Sequence, residues 1–333
     1  MAIDSTPWFV GGGAEHSPEI ARVLAYAATS GAEGVVEPAS MRVTAQATPN
    51  GTVSVRPGAA LILNRYAGGG QQTYVLRNAS ATSVAIPATG SGGGRTDAII
   101  ARVLDPQYEG AAPTDPVTFQ YARIERIGSV PYGLEDISEL NLGYPAILLA
   151  KITMYANEGT IQQSMIKDMR KVAMPRRETE LRTHAMLSTD SAVLSNKTAY
   201  PDQGQTWPVS TETAWGEIPI PKWATRMKIV MTWSGITVPP GDARGQLWVQ
   251  VGATSNPSNV KTQAVSYNGT NSPNTNRQTA IVADERYIPA ALRGTSQKFY
   301  PRGNAVEAPS SAYWRLDGGS NLVLQIEFME SAD

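Results

Sequence analysis

Near its C-terminus the chain alternates with period two. Leu322, Leu324, Ile326 and Phe328 interleave with Asn321, Gln325 and Glu327. Successive side chains of a strand point to opposite faces, so this spacing predicts a strand buried on one side only. The run from Met227 through Ile229 and Met231 to Trp233 repeats the pattern against Arg226, Lys228 and Thr232, and Leu247, Val249 and Val251 supply a third apolar face. A sheet with one apolar face must cover it with a second sheet or close into a barrel. Fully burying each large residue of such a face contributes about 1.5–3 kcal/mol before ordering costs. An antiparallel β-sandwich, jelly-roll-like or lectin-like, is therefore expected over 206–333.

The first half is also β-rich but is led by one helix. Ser17 is a good N-cap, Pro18 suits the first helical position, and Ile20, Val23, Leu24 and Ala27 recur at helical spacing to give one apolar face. Gly31 can end the helix in a left-handed conformation. Strands are expected near 41–47, 52–56, 59–64, 71–77, 82–86, 98–104, 118–127 and 146–155, with Asn50-Gly51 as a two-residue hairpin signal. Thr160 with Gln163 reads as the start of a second short helix, although an extended conformation up to Ser164 fits as well. Residues 176–205, charged and then rich in Ser, Thr and Asn, read as a linker, and 254–278, nearly devoid of apolar residues, as a long loop or ragged hairpin. The domain plan is an arm and short helix over 1–40, a β-rich domain over 41–175, the linker, and the sandwich.

Few groups are arranged for chemistry. The chain has no cysteine, which excludes disulfides, thiolate nucleophiles and Cys-built metal sites. Its two histidines, His16 and His184, lie far apart. With 28 basic and 29 acidic residues and neither half strongly basic, no broad footprint for nucleic acid is expected. No apolar run is long enough for a membrane-spanning helix, and no signal peptide is read at the N-terminus. No cofactor or metal is expected. The glycine-rich stretch 90–96 lacks the Gly-Lys-Ser/Thr ending of a phosphate loop and leads into a strand, so it reads as a surface turn. Arg95 and Asp97 fall on one side of that strand and are expected to form a structural ion pair. Carboxylate pairs such as Asp284 with Glu285, or Glu217 with Asp242, are the only sequence footing for a glycosidase.

The C-terminal half is rich in tryptophan and tyrosine. Carbohydrate sites set flat aromatics beside Asn, Gln and Asp, because a sugar face is apolar while its hydroxyls need partners. Trp248, out of phase with Leu247 and Val249, is expected to face outward or into a subunit interface. It forms the candidate saccharide or host contact with Tyr267, Asn268 and Asn271. Trp8 and Phe9, beside the Gly11-Gly12-Gly13 run, are a candidate assembly contact.

An ordered set of motifs spans about residues 8–175: Ser17-Pro18-Glu19-Ile20, Gly31-Ala32-Glu33-Gly34, Val55-Arg56-Pro57-Gly58, Gln72-Thr73-Tyr74-Val75, Gly94-Arg95-Thr96-Asp97 leading into Ile99-Ile100-Ala101, Leu149-Ala150-Lys151-Ile152 and Ile166-Lys167-Asp168. The set resembles the minor tail proteins of long-tailed phages that infect actinobacteria, including mycobacteria. The resemblance implies a β-rich tail-attachment domain, a homotrimer bound to other tail-tip or baseplate proteins of the virion, synthesis in the host cytoplasm, and a distal domain touching host cell-wall glycan. It carries no catalytic residues over. A free carbohydrate-binding module is the alternative, and a glycan-degrading enzyme the third reading.

Overall fold

The computed structural model describes residues 17–201, 204–253 and 255–332. The fold is mainly β, with a short N-terminal helix and a C-terminal antiparallel, jelly-roll-like arrangement. The chain divides into two compact units, residues 1–175 with 332–333, and residues 176–331.

The N-terminal unit holds three antiparallel sheets. One pairs Gly34–Val35 with Gly58–Leu63 and Thr73–Asn78; another pairs Val43–Ala45, Thr52–Val55 and Thr82–Ala85; the third orders Ile166–Asp168, Ala146–Met154, Arg95–Val103 and Ala122–Ile127. Their inner faces share a core of Val53, Val55, Ile62, Ile99, Leu149 and Ile152, all fully buried. The hairpin after Ala45 exists, but six residues, 46–51, connect its strands instead of two. Asn50 Oδ1 accepts from the Thr52 backbone N–H at 2.8 Å and sets the return. The second helix expected from Thr160 is replaced by a 3₁₀ turn, Gln163–Met165, and the strand Ile166–Asp168.

The helix Pro18–Thr29 forms with its Ser17 cap, and Ser30 and Gly31 both adopt positive φ at its end. Its docking differs from the expected apolar face: Val23, Leu24 and Ala27 are exposed, and the buried residue is Arg22. The Arg22 guanidinium donates to Gln72 Oε1 at 2.6 Å, Asp105 Oδ2 at 3.2 Å and Gln107 Oε1 at 3.0 Å, and lies 5.1 Å from the Tyr74 ring centroid. A buried charge is tolerable only when paired and hydrogen-bonded, and these partners meet that need. Periodicity cannot show such docking, because the side chain that anchors the helix reads as a solvent residue.

The C-terminal unit packs two large sheets together and adds a two-stranded pair, Ile218–Pro219 with Ser296–Gln297. One orders Arg177–Ala185, Asn321–Met329 and Arg226–Val238, which also pairs with Asn276–Tyr287; the strands Arg315–Asp317 and Ser191–Val193 extend it. The other orders Gln205–Thr206, Phe299–Glu307 and Gly241–Val251, which also pairs with Val260–Lys261 and Val265–Ser272. The alternating residues Met227, Ile229, Met231, Trp233, Leu322, Leu324, Ile326 and Phe328 are all fully buried. Trp233 Nε1 donates to the Trp207 carbonyl at 3.0 Å, which satisfies its buried indole N–H. Register shifts between Trp233 and Ile236, where Gly235 has φ +68 and a Cβ would lie 2.3 Å from the Gly319 carbonyl oxygen. Only glycine fits that bulge.

Two stretches of this unit hold more strand than the polar composition suggests. Residues 176–205 are not a linker: they begin with Arg177–Ala185, an edge strand paired over nine residues with Asn321–Met329. Its charges suit the position, since an edge strand with Arg and Glu side chains resists further pairing. Much of 254–278 is likewise strand, Val265–Ser272, polar because it borders the second sheet with its outer side in water.

Candidate functional site

The outer face of the second sheet carries the polar residues of the candidate contact. On Gly241–Val251, Ala243, Leu247 and Val249 turn to the core, while Arg244, Gln246 and Trp248 turn outward. Register aligns Arg244 with Asn268 on one neighbouring strand and Glu307 on the other; Gln246 aligns with Ser266 and Asn304. These strands border an open depression of about 680 Å³ lined by Arg244, Gln246, Ser266, Tyr267, Asn268 and Glu307. Gln246 Oε1 accepts from the Tyr200 backbone N–H at 3.2 Å and from Asn304 Nδ2 at 3.4 Å.

The aromatic members are buried. Trp248 is on the outer side of the sheet but is fully buried, so the expectation of an outward-facing platform is corrected. The chain around Tyr200 and Gly204, within the stretch read as a linker, lies over it. The Tyr200 ring meets Trp248 edge-on at 5.4 Å, and a Cβ on Gly204 would come within 2.2 Å of the indole. Tyr267 is 7% exposed and stacks on Trp314 with centroids 3.9 Å apart. Its hydroxyl donates to the Asn304 carbonyl at 2.9 Å, and burial pushes its pKa well above the usual phenol range. Asn268 is exposed at the rim. Asn271 sits on the same strand, but its side chain lies outside the described residues, as do Trp8 and Phe9.

In the N-terminal unit, Asp97 is fully buried. It accepts from Arg95 Nε at 2.8 Å, Arg126 Nη1 at 3.1 Å and the Ser129 backbone N–H at 3.1 Å. Sequence reasoning had no signal for Arg126 or Ser129, which the Ala122–Ile127 strand and its following turn bring in. With its oxygens occupied, this carboxylate is a structural tie between strands.

Among the described residues, no group of three or more His, Cys, Asp or Glu side chains is placed to hold a metal. The acids considered for glycoside hydrolysis are held in ion pairs or stand free in solvent. Asp284 pairs with Arg286 at 2.7 Å, Glu285 with Arg226 at 3.1 Å, and Asp242 with Arg244 at 3.4 Å, while Glu217 is exposed. Asp284 and Glu285 are successive strand residues and project to opposite faces, so they do not confront one substrate.

No family model and no curated protein matches the chain. Solved structures of infectious bursal disease virus show a weak likeness to it. The Gx strain structure is 11% identical with a TM-score of 0.26, covering 90% of this chain and 68% of that one. The VP2 subviral particle is 11% identical with a TM-score of 0.24, covering 90% and 73%. The expected membership of a phage minor-tail family, with its role as tail-tip or baseplate adaptor and its place in a virion tail, is corrected: no family model or curated relative stands behind it, and the solved structures with a likeness to the chain are of a different virus. The motifs behind that expectation are strand and turn patterns, which unrelated β proteins share. A likeness of this degree assigns the chain no function of its own.

Proposed function

We propose that this protein is a non-catalytic saccharide-binding protein whose C-terminal sandwich offers its polar outer face to the ligand. The supporting observation is the cross-strand grouping of Asn268, Arg244 and Glu307 beside Ser266 and Gln246 around one open depression. Sugar hydroxyls both donate and accept. This grouping supplies a guanidinium donor, a carboxylate acceptor, and amides and a hydroxyl able to do either. The buried Tyr267–Trp314 stack beneath stiffens the floor; the ligand's edges, not its faces, would be read here.

The test is binding of the full chain to a printed array of neutral and acidic oligosaccharides. Replacing Arg244→Ala together with Asn268→Ala is expected to weaken the signals from acidic oligosaccharides by about tenfold, the loss of one to two hydrogen bonds that include a charged partner. Both side chains are exposed, so the melting temperature should hold. An unchanged profile from the folded variant removes this face from the site.

A further inference from the structure

The N-terminal unit contains a second surface with the features of a ligand site, and it owes nothing to the sandwich. Tyr132 and Tyr155 are 78% and 75% exposed, among the most exposed aromatic side chains described. Both border two depressions, of about 660 and 700 Å³, that also share Thr153. The two tyrosines therefore stand on the common border of the two depressions, which together form a groove. One wall of that groove is the glycine-rich turn, where a Cβ at Gly90, Gly92 or Gly93 would meet nothing within 4 Å. The absence of side chains keeps this wall low and its backbone accessible.

The main chain under each ring is anchored. Lys151, with its side chain only 5% exposed, donates to the Tyr132 carbonyl at 3.1 Å and also to the Leu134 carbonyl. Thr89 Oγ1 donates to the Tyr155 carbonyl at 2.5 Å and accepts from the Glu158 backbone N–H at 2.8 Å. Anchored backbones remove the cost of ordering the loops on binding, which leaves only the ring rotamers to be fixed.

The charges nearby are committed. Arg95 serves Asp97 and the Pro87 carbonyl, and Lys167 pairs with Glu135 at 2.9 Å. Hydrogen bonds from Lys167 and then Lys151 hold the Glu135 carboxyl below its usual range. A phosphate chain or single-stranded nucleic acid needs free cations beside its stacking faces. This groove offers flat aromatic rings, hydroxyls and backbone amides instead.

We infer that the groove between Tyr132 and Tyr155 binds a neutral oligosaccharide, with sugar rings stacked on the two tyrosines and hydroxyls turned to Thr153 and the glycine-rich wall. The site is separate from the sandwich face, and the two are tested separately. On the oligosaccharide array, the full chain is expected to bind neutral glycans with a signal that survives high salt, because no ion pair is involved. The double variant Tyr132→Ala, Tyr155→Ala should lose at least about tenfold on those glycans. The variant with Arg244→Ala and Asn268→Ala should keep them. The double tyrosine variant should melt with the wild type, since both rings are in solvent. Wild-type glycan binding by that variant, failure of the full chain to bind any neutral glycan, or preferential binding of poly(dT) would each overturn the inference.

Discussion

Two pairs of aromatic residues, one pair in each unit, are placed in opposite ways. In the C-terminal sandwich, Trp248 sits on the outer side of its sheet and is nevertheless sealed beneath Tyr200 and Gly204, while Tyr267 is stacked and hydrogen-bonded inside. In the N-terminal unit, Tyr132 and Tyr155 occupy loops beside a groove and stand in solvent. A strand's phase tells which face a residue is on, but not whether another segment covers that face. The tryptophan that looked like a ligand platform is core, and tyrosines that carried no sequence signal are the exposed rings.

The sharpest way to break this comparison is Trp248→Ala. If the indole is core, the variant loses about 4 kcal/mol of stability through a cavity, seen as a lower denaturant midpoint, while glycan binding by the folded fraction is kept. Binding lost at unchanged stability would reverse the assignment. Next in size is Asp97→Ala, which leaves Arg95 and Arg126 facing each other without their common partner. About 3 kcal/mol is expected, at the low end for a buried ion pair because both guanidinium groups retain some contact with water. Hydrogen exchange should place that loss in the N-terminal unit, and protection lost mainly in the sandwich would contradict the tie described here.

A smaller effect sharpens the comparison from the sandwich side. Asp317 accepts from the Thr237 hydroxyl and from Arg277, which lowers its pKa to about 2. A carboxyl with a depressed folded pKa contributes stability that is complete above its unfolded value of about 3.9 and is lost as pH falls through about 2. Asp317→Asn should therefore be less stable than the wild type at neutral pH. Its melting temperature should also fall less between those two pH values. Parallel curves for the two proteins would show that this carboxyl does not report on the sandwich.

Much of the fold was legible. The strands expected over 59–64, 82–86, 98–104 and 146–155 differ from those observed by a few residues at most, because each has apolar, β-branched residues bounded by glycine, proline or asparagine. The misreadings share one cause. Residues 177–185 read as linker because edge strands carry charge, and 254–278 as a long loop or ragged hairpin because a strand with one wet side and few large apolar residues resembles a polar loop in composition. The helix was expected to dock by Val23 and Leu24, yet it docks by Arg22, whose partners Gln72, Asp105 and Gln107 come from distant parts of the chain. Of the candidate contact, the strand phase of Trp248 was readable, but the grouping of Arg244, Asn268 and Glu307 depends on register between strands far apart in sequence. For Tyr132 and Tyr155 there was no signal, since a tyrosine in a loop reads the same whether it is covered or bare.

From the order of its residues alone, this chain is committed to mainly-β structure with a short leading helix, to a sandwich in the C-terminal half, and to having no cysteine chemistry. Those properties follow from side-chain alternation and composition, which act over a few neighbouring residues. Which strands lie side by side, which segment closes over Trp248, and which aromatic rings stay in water were decided only by the tertiary structure. Burial depends on what a residue meets across the fold, and those partners are set by packing between segments that local pattern does not relate.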